Sequence, residues 1–451
     1  MDPTSIRVLL GSSNQESYWI AKINSCTGNS VSITNNNSDI YIAGMGFGIL
    51  AVYYSLIAKY DANGNIQWQR GITSTTPREN AAGKSIALDS LNNIYYAGII
   101  QNSDTRTLIT KYNESGIVQW QKTLALSSNQ STITRFLTID LLDNIYICGD
   151  TYNGINDLIF IAKYNTSGVL QWSRSIYGTI QVGGPADGRT LGNTGYSLAV
   201  DSLNNPHIVS RIGNDGDILI IKYNASGVIQ SQRTLTSSDS VSLSNASISI
   251  DSLDNVYISG MSRYRLPNNT LAYGFLIAKY DSFGSLQWQK VIGFFEAPIA
   301  SPTPISLTID RLDNIYLCGT IFLSNNDTDR DILIMKLDSL GNIQWQGKFG
   351  SEGRQEGNSI KSDDLYNIYI CGTDYSSPSS AIIAKLPSDG PVIGTYGEFT
   401  FSQTFLSVQS GYTVIDSLSS FTETSGPSTT STSTEVESST NFVSSTTSIC
   451  V

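Results

Sequence analysis

The sequence predicts an all-β chain folded as a single β-propeller of four-stranded antiparallel blades. Two recurring phrases and their spacing predict it. LIAKYDANGNIQWQR (56–70) returns as LITKYNESGIVQWQK (108–122), FIAKYNTSGVLQWSR (160–174) and LIAKYDSFGSLQWQK (276–290). Between the copies stand SIALDSLNNIYYAG (85–98), LTIDLLDNIYICG (137–149), ISIDSLDNVYISG (248–260) and LTIDRLDNIYLCG (307–319). The whole unit recurs about every fifty residues, a period that belongs to propeller blades.

Each phrase supplies two strands. In the first, an alternating run ends in Lys-Tyr, a turn such as DANGN follows, and a second run carries Gln-Trp. Period-two alternation about an Asn-Gly or Ser-Gly turn reads as a β-hairpin. The second phrase reads as another hairpin, with Asp and Asn in its turn and glycine ending its last strand.

The K-Y-x-x-x-G-x-x-x-W and D-x-x-x-N-x-Y-x-x-G phrases together resemble the SBBP repeat, a family named for seven-bladed β-propellers. The resemblance spans about residues 5–416. It implies a propeller, often in secreted or surface proteins of bacteria, and no catalytic residue.

Counting copies favours eight blades, with seven as the alternative. The strand lysine recurs at Lys22, Lys59, Lys111, Lys163, Lys222, Lys279, Lys336 and Lys385. The strand-ending slot recurs as Gly11, Gly44, Gly98, Gly149, Ser210, Gly260, Gly319 and Gly372. An orphan Asp-type strand, YTVIDSL (412–418), lacks a successor, and IRVLLG (6–11) lacks a predecessor. Their pairing would close the ring and remove an open sheet edge. This split blade would have no Trp strand, since Ile23 to Ile33 leaves no room for one. The propeller is expected over 1–417. Residues 418–451, rich in Ser and Thr and without Lys or Arg, are expected to form a disordered tail or stalk.

The repeated Trp, Tyr and Lys slots read as structural. Large aromatics fill the space between sheets, and a lysine stem packs while its ammonium pairs locally, for instance with the Asp row. Cys148, Cys318 and Cys371 share one slot and read as small buried side chains, whereas Cys26 and Cys450 lie in a turn and the tail. No disulfide framework or metal-ligand spacing is indicated. His207, the single histidine, stands in the Tyr slot of an eroded unit that also carries Ser231 in its Trp slot, and reads as drift. Asp327, Asp329 and Asp331 alternate as in calcium loops but lack the loop glycine and distal glutamate. No cofactor is implied.

The net charge of −11 and pI near 4.6 argue against nucleic acid. The uncharged run 42–58 approaches the length of a membrane helix, but the repeat register divides it into strand, loop and strand. The N-terminus lacks the charged and apolar regions of a signal peptide. The expected function is therefore a non-catalytic binding or structural module recognising a protein or glycan, displayed on a cell or particle surface. A multivalent lectin is the alternative, and a carboxylate-dependent glycosidase or lyase comes third.

Recognition is expected on the face that carries the long, variable connections. A specific partner needs asymmetry that near-identical turns cannot supply, and binding residues concentrate on loops held by a rigid scaffold. Exposed aromatics and arginines make the usual anchors, which nominates Tyr177, Arg189, Arg263, Tyr264, Arg265, Phe294 and Phe295.

Overall fold

In the computed structural model every element among the described residues is a strand, and the strands assemble into seven antiparallel sheets. The structure describes residues 7–425 and 443–445, apart from 14–15, 35–38, 48–52, 74–79, 102–104, 125–130, 153–156, 178–196, 213–216, 238–242, 266–270, 294–301, 323–328, 377, 392, 397, 405, 409–413 and 419–421. Each sheet is one blade of a seven-bladed propeller.

Blade 1 runs Cys26–Ile33, Ile40–Phe47, Tyr53–Tyr60 and Ile66–Thr73 from its inner to its outer strand. Blades 2 to 6 repeat that order, with inner strands Asn80–Leu88, Thr132–Ile139, Ser197–Val200, Leu243–Ile250 and Pro302–Ile309. Blade 7 contributes Gln355–Ser362, Ile368–Asp374 and Ser380–Leu386, and its outer strand is the N-terminal Glu16–Asn24.

That outer strand corrects the blade count. Trp19 stands opposite Lys385, as Trp68 stands opposite Lys59 and Trp345 opposite Lys336. The strand ESYWIAKIN is therefore a Trp strand. Lys22 within it imitates the lysine row without belonging to it, so the count falls from eight to seven. Among the described residues the expected pairing of 6–11 with 412–416 is also absent: Arg7–Ser13 pairs with Glu16–Asn24, and Val414–Leu418 pairs with the outer strand of blade 4.

Beyond the four-stranded pattern, the terminal segments add strands to the outer edges. Phe399–Gln403 joins blade 6, Ser407–Val408 blade 5, Val414–Leu418 blade 4, Thr422–Ser425 blade 3 and Val443–Ser445 blade 1. Backbone pairing satisfies edge groups whatever the side chains are, so a Ser/Thr-rich chain can supply such strands.

The turns explain why the hairpins form. Asp89 Oδ1 accepts the backbone N–H groups of Leu91 and Asn93, and Asn92 takes a left-handed φ of 60°. Asn and Asp tolerate that conformation, which is why they recur at this turn. In the other turn Gly64 takes the same role at φ 79°, and Gly116, Gly168, Gly227, Gly284, Gly341 and Gly390 follow it.

Serines latch adjacent inner strands. Ser30, Ser85, Ser247 and Ser306 accept backbone N–H groups from Ile86, Leu137, Leu307 and Ile360 of the following blade. Ser359 of blade 7 accepts from Val31 of blade 1 at 3.3 Å, and one apolar cluster joins Trp19, Tyr369 and Ile383 to Val31, Ile42 and Leu56. The run 42–58 divides between strands Ile40–Phe47 and Tyr53–Tyr60, and among the described residues no helix is long and apolar enough to cross a membrane.

Candidate functional site

The repeated polar groups are engaged with one another. Asp310 Oδ2 accepts from Asn314 at 2.9 Å and from the Tyr316 hydroxyl at 3.1 Å, while Oδ1 takes the N–H groups of Leu312 and Asn314. Lysines stand between a carboxylate and an aromatic face: Lys111 Nζ is 3.4 Å from Asp89 and 4.8 Å from the Tyr95 centroid. Lys163 repeats this with Asp140 and Tyr146, and Lys279 with Asp251 and Tyr257. The lysine row is structural, as its repetition implies.

Blade 4 departs from that pattern. His207 replaces the tyrosine and sets Nε2 3.3 Å from Asp201 Oδ2, with Lys222 Nζ 3.0 Å from the same oxygen. Burial lowers the His207 pKa. Burial also opposes ionisation of Asp201, but hydrogen bonds from His207, Asn205 and Lys222 hold its carboxyl well below the usual range.

The two faces of the disc differ. Leu91, Leu142, Leu203, Leu253, Leu312 and Leu365, from the Asp turns of six blades, are 63–76% exposed on the short-turn face. Turn chemistry does not call for leucine there. The sequence signal was the Leu column inside SLNN, LLDN and SLDN, which near-identity disguised as mere turn.

On the long-loop face, the described corner between blades 6 and 7 holds a charged cluster. The Glu356 carboxylate accepts from Arg330, from Arg354 Nη2 at 2.7 Å and from the Tyr375 hydroxyl at 3.3 Å. Arg354 also lies 4.3 Å from the Tyr375 ring centroid. Beside them Lys22 bridges Asp374 at 2.7 Å and Glu398 at 2.8 Å. Sequence reading missed this cluster because Arg330, Arg354, Glu356 and Tyr375 stand at strand ends and connections where the units differ.

Arg263, Tyr264 and Arg265 extend the second strand of blade 5, opposite Tyr273, Ala272 and Leu271, and Tyr177 ends the outer strand of blade 3 opposite Thr422. The side chains of these four lie outside the described residues, as do Arg189, Phe294 and Phe295 altogether. Asp327 also lies outside them. Asp331 is paired with Lys348, and among the described residues no group of three His, Cys, Asp or Glu side chains could hold a metal ion. Cys148, Cys318 and Cys371 are buried and free, as their slot suggested, whereas Cys26 is disulfide-bonded against expectation.

The inner strands enclose a cavity of about 230 Å³. Its wall mixes serine hydroxyls with apolar side chains, and small residues Ser32, Ala87, Thr138, Ala199 and Ser249 occupy one slot of successive blades. Lys361 fills that slot in blade 7 and carries the only charge among the lining residues. Its side chain keeps some exposure to the cavity while protein surrounds it, and desolvation lowers its pKa. A lone ammonium among hydroxyls can attract an anion or donate to a carbonyl.

No protein-family model matches the chain, and no curated protein matches it. Among solved structures it is similar to the Dos1 propeller, at 10% identity and TM-score 0.44 over 80% of this chain and 94% of that one. It is also similar to Sqt1 from Chaetomium thermophilum, at 8% identity and TM-score 0.41 over 84% of this chain and 88% of that one. A protein of unknown function from Dyadobacter fermentans DSM 18053 aligns at 7% identity and TM-score 0.43 over 85% of this chain and all of that one.

Proposed function

We propose that the chain is a non-catalytic binding module that recognises a protein or glycan through its long-loop face. The observation that carries this reading is the division of labour between repeated and unrepeated groups. The Asp, Asn, Tyr, Lys and Trp rows hold the blades together, whereas Arg330, Arg354, Glu356 and Tyr375 form an unrepeated patch on the opposite face. Such a patch supplies the asymmetry a specific partner requires, and Arg and Tyr are frequent interface anchors. The sequence places Tyr177, Arg189, Arg263, Tyr264, Arg265, Phe294 and Phe295 in or beside the long connections, and they remain candidates to extend the proposed surface.

A lectin with one sugar site per blade fits less well, because each Trp ring is packed against the turn of the next blade. The SBBP resemblance rests on the repeat phrase, and display on a cell or particle surface rests on that resemblance and on the tail composition. The exposed leucine ring favours a second reading, in which the short-turn face docks a partner of its own.

Affinity capture from the source and a glycan array, each run with two variants, test the proposal. Arg354→Ala with Tyr375→Ala should abolish capture and leave the melting temperature near the parent value. Leu91→Asp with Leu312→Asp should leave capture intact. The reverse pattern would move recognition to the leucine face.

A further inference from the structure

Six of the seven blades wedge a tryptophan under a turn of the following blade. Trp19, Trp68, Trp120, Trp172, Trp288 and Trp345 lie against Gly64, Gly116, Gly168, Gly227, Gly341 and Gly390. A Cβ on any of these glycines would come within 2.5–3.1 Å of an indole atom. Each indole Nε1 donates to a carbonyl of the same turn, among them Ala62 at 3.1 Å, Ala225 at 3.1 Å and Ser388 at 2.9 Å. Arg70 and Arg174 stand two residues beyond their tryptophans, 5.1 and 5.4 Å from those rings.

Blade 4 has Ser231 where the indole belongs. The slot beneath the blade 5 turn is therefore a cleft, lined by His207, Ser231, Arg233, Tyr280, Ser282 and Gly284. Its volume is about 40 Å³, and it opens to solvent. A Cβ on Gly284 would meet only Arg233 Nε, at 3.6 Å, so no ring lies on this glycine. The receiving parts remain. Gly284 keeps φ 82°; by position in the repeat Ser282 corresponds to Ala62 and Ala225, and Arg233 to Arg70 and Arg174, its guanidinium resting 5.9 Å from the Tyr280 ring centroid at the edge of the slot. Phe283 in the same turn is 91% exposed. The chain has six tryptophans and all six are placed in other blades, so an indole for this slot must come from another molecule.

We propose that the cleft between blades 4 and 5 is a binding site for a tryptophan side chain of a partner polypeptide. The indole lies on Gly284 and Tyr280, donates its N–H to the Ser282 carbonyl, and meets the Arg233 guanidinium by cation–π attraction. Phe283 widens the contact outside the cleft. A buried tryptophan flanked by an arginine is a frequent centre of binding energy. The site lies at the short-turn rim, away from Arg354 and Tyr375, and goes beyond the function proposed above.

Isothermal titration of the full chain with N-acetyl-tryptophanamide tests it, with N-acetyl-leucinamide as the control. The parent should bind one equivalent of the tryptophan amide in the millimolar range, and the leucine amide more weakly. Ser231→Trp fills the slot from within. It should weaken binding at least about tenfold while the melting temperature stays at or above the parent value. If that variant folds poorly, Ser231→Phe places a smaller ring in the cleft and should weaken binding in the same sense. Arg354→Ala with Tyr375→Ala should bind the amide as the parent does, which separates this site from the long-loop face. Absence of saturable binding to the parent, equal binding of the leucine amide, or undiminished binding to a folded Ser231 variant would overturn the proposal.

Discussion

Replacing Trp19 by alanine should destabilise the chain as a core substitution would, although Trp19 lies near the N-terminus. The ring is 0% exposed, stacks on Tyr60 with centroids 6.5 Å apart, and donates Nε1 to the Ala62 carbonyl at 3.1 Å. Truncating a buried tryptophan costs about 3–5 kcal/mol, and the Ala62 carbonyl loses its partner as well. Unfolding entropy scales with chain length, so in a domain of this size 1 kcal/mol moves the melting temperature by about 1 °C. The expected fall is roughly 4–6 °C. Differential scanning calorimetry reads it without relying on tryptophan fluorescence. Trp288→Ala, at a partly exposed ring, should cost less. A fall below about 1 °C for Trp19→Ala would refute the placement of this strand in blade 7.

Two further outcomes follow from the polar network and the cavity. Asp310→Ala strands the N–H groups of Leu312 and Asn314, the Asn314 amide and the Tyr316 hydroxyl, and should cost roughly 3 kcal/mol by urea denaturation, in line with hydrogen bonds to a charged acceptor. Lys361→Met should raise the melting temperature at pH 7. The folded pKa of Lys361 lies below its unfolded value of 10.5 because of desolvation, so its proton is held less tightly in the folded chain. The ammonium therefore opposes folding at neutral pH, and the advantage of methionine should shrink as pH rises towards 10.5. An advantage that stays constant across that range would point to packing rather than charge.

Much of the architecture was legible because each blade restates its own local rules. The Asp-Asn turn, the Gly turn and the alternation between them depend on residues within a few positions of one another, and all appear in the structure. The blade count was harder. ESYWIAKIN contains both the Ile-Ala-Lys of a lysine strand and the Trp of an outer strand, and only its register against Lys385, far away in sequence, decides between them. The added outer strands escaped notice for a related reason: pairing at a sheet edge uses the backbone, and Thr422–Ser425 carries no pattern that announces it. Within the candidate sites, Ser231 and His207 were visible as departures from the repeat. What they open could be seen only with Gly284 of the next blade in place. Lys361 was legible as the one charge in a column of Ser, Ala and Thr, but that column gains meaning only when seven inner strands face a common axis.

The central structural claim is that the N-terminal strand is the outer strand of the seventh blade. Cross-linking tests it most directly, using Ala21→Cys with Ile383→Cys, which are paired across the two strands, against Val8→Cys with Ile415→Cys, the pair an eight-bladed closure would bring together. Mass spectrometry of the oxidised protein should find the first pair joined in high yield and the second pair free. A disulfide between positions 8 and 415, with 21 and 383 unlinked, would contradict the seven-bladed account.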